Sequence, residues 1–401
     1  MSHTFFSQVE AFAGDPILSL NQDFQKDPNP AKVNLSIGIY TDENGKIPVM
    51  RAVRAAEEAR AKVSGAKPYL PMEGSAAYRS AITSLLFGES NSAVKDKRIA
   101  SMQSLGGSGA LKVGADFLKR YYPNSAVWVT SPTWDNHRAI FEGAGFAVNA
   151  YPYYDAASSG LDFAGMLGTL NTLPEASIVT LHACCHNPTG VDLSHAQWQT
   201  VLKVVQERKL IAFMDIAYQG FGDGPDEDAY SIRLFAESGV TFFVANSFSK
   251  SFSLYGERCG GLSVVCSSAE EASRVLGQLT FAVRRNYSNP PTYGPSLVSD
   301  VLNTPALREQ WAAELADMRV RIAHMRGVLR AKLEALKPGH NFAYLTTQRG
   351  MFSYTGLTGE QADALRITHG VYVLRSGRMC MAGLSEKNVD AVAVAFAKVL
   401  E

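Results

Sequence analysis

Two rhythms of apolar residues alternate between about Gly109 and Cys266: short β-rich runs, and stretches where apolar residues return every three or four positions. The runs cover 126–130, 177–181, 210–215, 240–245 and 261–266. Between them Leu111, Ala115, Leu118 and Tyr122 share one helical face, and Trp198, Val201, Leu202 and Val205 share another behind the capping-box pair Ser194 and Gln197. Strands separated by helices imply an α/β fold with a mainly parallel sheet covered by helices on both faces.

From about 304 to 337 the helical pattern is almost unbroken, opening at Pro305 and stopping at Pro338-Gly339. A helix of that length commonly bridges domains. Beyond it the pattern predicts a strand near 351–354, a helix near 360–368, a strand near 371–374 and a closing helix carrying Val389, Val392, Phe396 and Val399. A chain of 401 residues exceeds one ordinary core, so a second, smaller α/β domain is expected from this C-terminal part joined by the N-terminal segment.

The composition narrows the function. Lys+Arg 38 balance Asp+Glu 38, which leaves no charge field to attract nucleic acid or an anionic membrane. The first ten residues lack the basic flank and apolar core of a signal peptide, and no later segment reaches the length of a membrane span, so a cytoplasmic protein is expected. Five cysteines (184, 185, 259, 266, 380) without C-x-x-C spacing argue against a disulfide framework.

In an open parallel sheet, ligands gather where strands end, and each run here ends on something polar. Gly106-Gly107-Ser108-Gly109 leads into a helix, where backbone N–H groups can meet a phosphate. It lacks the Gly-Lys-Ser/Thr of a Walker loop, has Lys112 where a dinucleotide fingerprint needs its third glycine, and has Ala110 where a nucleophile elbow needs Gly. A phosphate cradle and a plain helix N-terminus remain equal readings of that loop. Trp134 and His137 follow the next strand, as core packing or as a ligand platform. The segment His182-Ala-Cys184-Cys185-His186-Asn187 invites a zinc reading, but adjacent cysteines in or beside a strand should point to opposite faces, and no metal is expected. Asn187 is either a turn former or a donor to a ligand. Asp215 closes a buried run with Tyr218 just after it, and a carboxylate there would titrate high unless a cation faces it. Lys250 follows Ser247 and Ser249 as a candidate Schiff-base amine, and Arg258, eight residues on, can clamp a phosphate.

Taken together, Ser-x-Ser-Lys with Arg eight later, Asp-x-x-Tyr, Asn-Pro-Thr-Gly and Arg-Arg-Asn-Tyr-Ser-Asn-Pro-Pro at 284–291 resemble the class I, fold-type I pyridoxal-phosphate aminotransferases of the aspartate and aromatic amino acid group. Within it, the segments 70–74, 106–120 and 349–357 are most similar to the bacterial aromatic (tyrosine) enzymes. The resemblance covers nearly the whole chain. It implies an N-terminal arm 1–14, a large cofactor-binding domain 44–315 and a discontinuous small domain 15–43 and 316–401.

The resemblance also assigns roles. Lys250 would carry the cofactor and transfer the proton, Asp215 would keep the pyridine nitrogen protonated with His137 behind it, and Tyr218 and Asn187 would bond the ring oxygen. Trp134 would stack on the ring, while Gly107, Ser108, Ser247, Ser249 and Arg258 would hold the phosphate with Tyr69 of a second subunit. Arg378 would clamp the substrate α-carboxylate, Arg284 of the second subunit a side-chain carboxylate, and Gly38, Ile39, Ile47 and Asn289 would line the substrate pocket with Trp134 and Asn187. Ile47, Pro68 and Ser108 resemble the aromatic-accepting pocket and Asn289 the aspartate-specific one. The implied activity is ping-pong transfer of an amino group from tyrosine, phenylalanine or aspartate to 2-oxoglutarate by a homodimer with shared sites. A narrow aspartate aminotransferase, a β-lyase or decarboxylase on the same scaffold, and a non-catalytic binding module are the alternatives.

Overall fold

The computed structural model describes residues 5–63 and 65–400, so residues 1–4 of the expected arm lie outside the described residues. Seven strands form the central sheet: β1 (Ile99–Leu105), β2 (Val127–Ser131), β3 (Val148–Pro152), β4 (Ile178–His182), β5 (Ile211–Ile216), β6 (Phe242–Ser247) and β7 (Cys259–Val265), in the spatial order β1-β7-β6-β5-β4-β2-β3. All neighbours from β6 across to β3 are parallel. β7 alone runs against both of its neighbours, which restores β1 to the direction of the others.

The period-2 geometry of a strand sorts the apolar residues onto two faces. In β5, Ala212, Met214 and Ile216 enter one core, whereas Phe213 enters the other. In β6, Phe242 and Val244 divide in the same way from Phe243 and Ala245. Helices Gly106–Tyr121 and Ala269–Asn286 cover the second face, the former burying Leu111, Ala115 and Leu118. Tyr122 departs from its expected place: it caps that helix and is 43% exposed, because the chain has already left helical geometry there.

Helix His195–Glu207 carries the expected capping box and buries Trp198, Val201, Leu202 and Val205. Two strands of the central sheet escaped the periodicity. β3 lies at the sheet edge with mostly exposed residues, and β1 buries Ser101, Gln103 and Ser104 among its apolar side chains. The polarity inside β1 is satisfied in part across the sheet, where Ser101 Oγ lies 3.1 Å from Ser263 Oγ.

The long helix runs Pro305–Leu336, 32 residues, with proline in its first turn. Trp311, Leu315, Met318, Ile322, Met325, Leu329 and Leu333 form its buried stripe at spacings of three or four. After it come strand Phe352–Tyr354, helix Gly359–His369, the short strand Val371–Tyr372, strand Arg378–Cys380 and helix Val389–Val399. Val33–Asn34 pairs in parallel with Val371–Tyr372, and Phe352–Tyr354 pairs antiparallel with Arg378–Cys380, so the N-terminal segment is built into the C-terminal part. Among the described residues, no helix is long and apolar enough to cross a membrane.

Candidate active site

The parallel strands all deliver their carboxyl ends to one edge of the sheet, and β7, being reversed, brings its beginning there instead. Arg258, just before β7, therefore meets Lys250, just after β6. A cavity of about 270 Å³ opens at this edge. It is lined by Gly107, Ser108, Trp134, Asn187, Asp215, Tyr218, Ser247, Ser249, Lys250, Arg258 and Arg378, with Gly38 and Ile39 from the N-terminal segment.

At the floor, His137 Nε2 donates to Asp215 Oδ2 at 3.1 Å, and Thr133 Oγ1 lies 2.8 Å from His137 Nδ1. Burial by itself would push the Asp215 carboxyl up, yet the hydrogen bond from His137 and the electrostatic influence of His137, His182 and Lys250 hold it below the usual carboxylate range. His137 is thus a support behind the carboxylate. The Lys250 amine is pushed down to about 8, first by burial; Asp215 opposes that shift, while the cations Arg258 and Arg378 reinforce it. Its Nζ stands 5.0 Å from the centre of the Tyr218 ring. Burial raises the Tyr218 phenol, so it stays protonated as a donor.

One end of the cavity is built for an anion. Gly106 has φ +65°, and a Cβ there would come within 2.5 Å of Arg258 Nη2, so only glycine lets the helix begin against that guanidinium. The first turn of the 16-residue helix, the Ser247 and Ser249 hydroxyls (3.1 Å apart) and Arg258, which donates to Ser249 Oγ at 3.2 Å, converge there. At the other end, buried Arg378 donates to Asn187 Oδ1 at 3.2 Å and to the Ser36 carbonyl at 2.7 Å, while its Nε is buried without a partner. A cationic fork with an unused donor is suited to a carboxylate.

Five expected residues do not line this cavity, exposed Pro68 among them. Tyr69 is 91% and Ile47 46% exposed, Arg284 sits in the exposed last turn of its helix bonded to Ser288, and Asn289 donates to the Leu70 carbonyl at 2.8 Å. Tyr69, Arg284 and Asn289 thus belong to a second region linked through Leu70. Ile17, Ile37, Ala217, Tyr255 and Phe352 do line the cavity without having been singled out. Phe352 and Tyr255 stand inside motifs the sequence offers, whereas Ile17 and Ile37 come from a distant N-terminal segment with no local signal.

The cysteine geometry corrects an expectation. Cys184 and Cys185 do not point apart; their sulfurs and an Asp228 carboxylate oxygen lie within 4.8 Å of one another. Both residues lie past the end of β4, and Cys185 has φ 50°, so strand alternation does not apply. Asp228 is engaged by the N–H groups of Gly220, Gly222 and Asp223.

Residues 30–396 match the family described as aminotransferase class I and II. The chain is 58% identical to the aromatic-amino-acid aminotransferase of Escherichia coli, covering 98% of this chain and 100% of that one. It is 51% identical to an aspartate aminotransferase of Pseudomonas aeruginosa, with 99% and 100% covered. Among solved structures, the aromatic-amino-acid aminotransferase of Burkholderia pseudomallei covalently bound to pyridoxal phosphate superposes with a TM-score of 0.97 at 51% identity over 100% of both chains. With a sheet edge that gathers lysine, carboxylate and arginine in one cavity, and with relatives aligned end to end, this chain belongs to the class I and II aminotransferases.

Proposed function

We propose that the protein is a pyridoxal-phosphate-dependent aminotransferase that moves the amino group of tyrosine, phenylalanine or aspartate to 2-oxoglutarate. The observation that carries the proposal is the single cavity joining Lys250, Asp215 and Arg378. The donor set fits the cofactor: an anion cradle at one end, an ionised buried carboxylate for a ring N–H, and a low-pKa amine between them. When bound, pyridoxal phosphate supplies an electron sink for the pair released at the substrate's Cα.

The protein's own groups do the rest. Arg258, Ser247, Ser249, Ser108 and the N–H groups around Gly107 hold the phosphate, and Asp215, steadied by His137, keeps a proton on the ring nitrogen. Tyr218 and Asn187 donate to the ring oxygen, and Trp134 covers the ring. Lys250, with a pKa of about 8, is free base often enough near neutral pH to take the substrate's Cα proton and return it in the 1,3-shift that transamination requires. Arg378 orients the substrate through its carboxylate, the one group all amino acids and 2-oxo acids share.

We also assign the domains as 1–14, 44–315, and 15–43 with 316–401, the last joined by the pairing of Val33–Asn34 with Val371–Tyr372. A second copy of the chain supplies Tyr69 and Arg284 to each cavity. Phe5, Phe6, Val9 and Phe12, all more than 70% exposed, support an arm that packs on that copy. Ile47 and Asn289 then line the far end of the pocket. The cytoplasm is the compartment we infer, five free buried cysteines being suited to reducing conditions.

Purified protein should be yellow, and adding tyrosine or aspartate without an acceptor should discharge the visible band. A coloured protein whose spectrum ignores both amino acids would overturn transamination.

A further inference from the structure

The buried stripe of the long helix contains a cation. Arg326 is 3% exposed, and among the described residues no carboxylate pairs with it. Its Nη1 donates to the Leu345 carbonyl at 2.8 Å and to Ser353 Oγ at 2.7 Å, and its Nη2 to the carbonyls of Gly350 at 2.9 Å and Phe352 at 2.5 Å. Burial pushes its pKa down to about 10, which leaves it charged at neutral pH. An uncompensated buried charge is a costly way to fill a core. What a guanidinium offers over an apolar side chain is a rigid fork of donors with fixed directions.

All four acceptors lie between 345 and 353, where the chain leaves the short helix Tyr344–Thr347, turns, and enters strand Phe352–Tyr354. That strand is registered against Arg378: Phe352 opposes Cys380, Ser353 opposes Met379, and Tyr354 opposes Arg378. The Phe352 ring centre lies 4.3 Å from the Arg378 guanidinium carbon and 5.6 Å from the Tyr218 ring, edge to face. The ring is hemmed at its tip as well, since a Cβ at Gly38 would lie 2.8 Å from Phe352 Cζ. Among the described residues the Arg378 side chain makes two hydrogen bonds, so its aim depends on this packing.

We propose that Arg326 is a positioning residue for substrate binding: it locks the 345–353 turn, the turn fixes Phe352, and Phe352 with its strand holds Arg378 in the orientation that a carboxylate meets. The inference rests on the assignment of Arg378 to the substrate carboxylate. It predicts a defect in binding, shared by amino acids and 2-oxo acids alike.

The test uses cofactor-loaded Arg326→Met, Arg326→Lys and Ser353→Ala, with KM and kcat for one amino acid and one 2-oxo acid. Calorimetric titration with 3-phenylpropionate, a bare carboxylate probe, supplies a readout independent of turnover. For Arg326→Met, both KM values and the probe's Kd should rise between about tenfold and about a hundredfold while kcat stays within about threefold. Arg326→Lys, which keeps charge without the fork, should fall between it and the parent, and Ser353→Ala should show the smallest rise. Unchanged KM and Kd in the folded variants, or a loss confined to kcat, overturns the proposal. Should Arg326→Met fail to fold, the other two decide it on the same criteria. Arg378→Leu separates the two levels: if it too leaves the probe's Kd unchanged, the assignment of Arg378 fails, and if it alone abolishes binding, only the role of Arg326 fails.

Discussion

Replacing Asp215 with asparagine removes a charge and almost no volume, which makes it a direct test of the cavity floor. In the parent, Oδ2 accepts from His137 at 3.1 Å and the carboxylate is held ionised despite burial. An asparagine that keeps the His137 bond through its carbonyl must turn its NH2 toward the cavity, presenting a donor where the ring nitrogen needs an acceptor. One charge-assisted hydrogen bond is worth about 1.5–3 kcal/mol, or about tenfold to about 150-fold in rate. The lost charge adds to that, so kcat should fall by at least about a hundredfold. The phosphate cradle is untouched, and cofactor should stay bound. A second consequence is independent of turnover. Asp215 is the largest influence that raises Lys250, so its removal should move the amine's midpoint further below about 8. Steady-state kinetics and the pH dependence of cofactor uptake by stripped protein measure the two effects. A kcat within about threefold of the parent, or a midpoint that moves upward, refutes the account of the floor.

The parent's own uptake of pyridoxal phosphate should accelerate as pH rises through about 8, because the free amine is the reactive form; stopped-flow absorbance that places the midpoint near the ordinary lysine value of about 10.4 would contradict the buried setting. Trp311→Ala should destabilise the protein by about 3–5 kcal/mol, since the indole is 2% exposed, stacks on Phe252 at 4.9 Å and donates to the Ser251 carbonyl at 2.7 Å; a denaturant midpoint implying less than about 1 kcal/mol would refute that packing argument.

The site was legible from the sequence because each of its parts is local. Asp215 closes an apolar run, Lys250 and Arg258 sit in the loop between two neighbouring strands, and the glycines at 106–107 open a helix with clear periodicity. Strand ends in a parallel sheet converge by topology, so reading the ends amounts to reading the site. The parts that were missed depend on tertiary contact. Ile17 and Ile37 reach the cavity from a segment whose only link to it is the fold. β1 and β3 lack the apolar signature, one because it buries serines and a glutamine, the other because it is an edge. The cysteine pair was misjudged because a positive φ at 185 breaks the alternation that strand logic assumes.

The reversal of β7 has one more consequence. Since β6 and β7 are hydrogen-bonded neighbours, the chain between Ser247 and Cys259 is a short excursion, pinned at both ends, that carries the Lys250 amine and the Arg258 guanidinium. Those two groups keep a fixed span and travel as one piece. Arg378 hangs from a different sheet, so any swing of the C-terminal half resets its distance from that pair while leaving the spacing within the pair as it was.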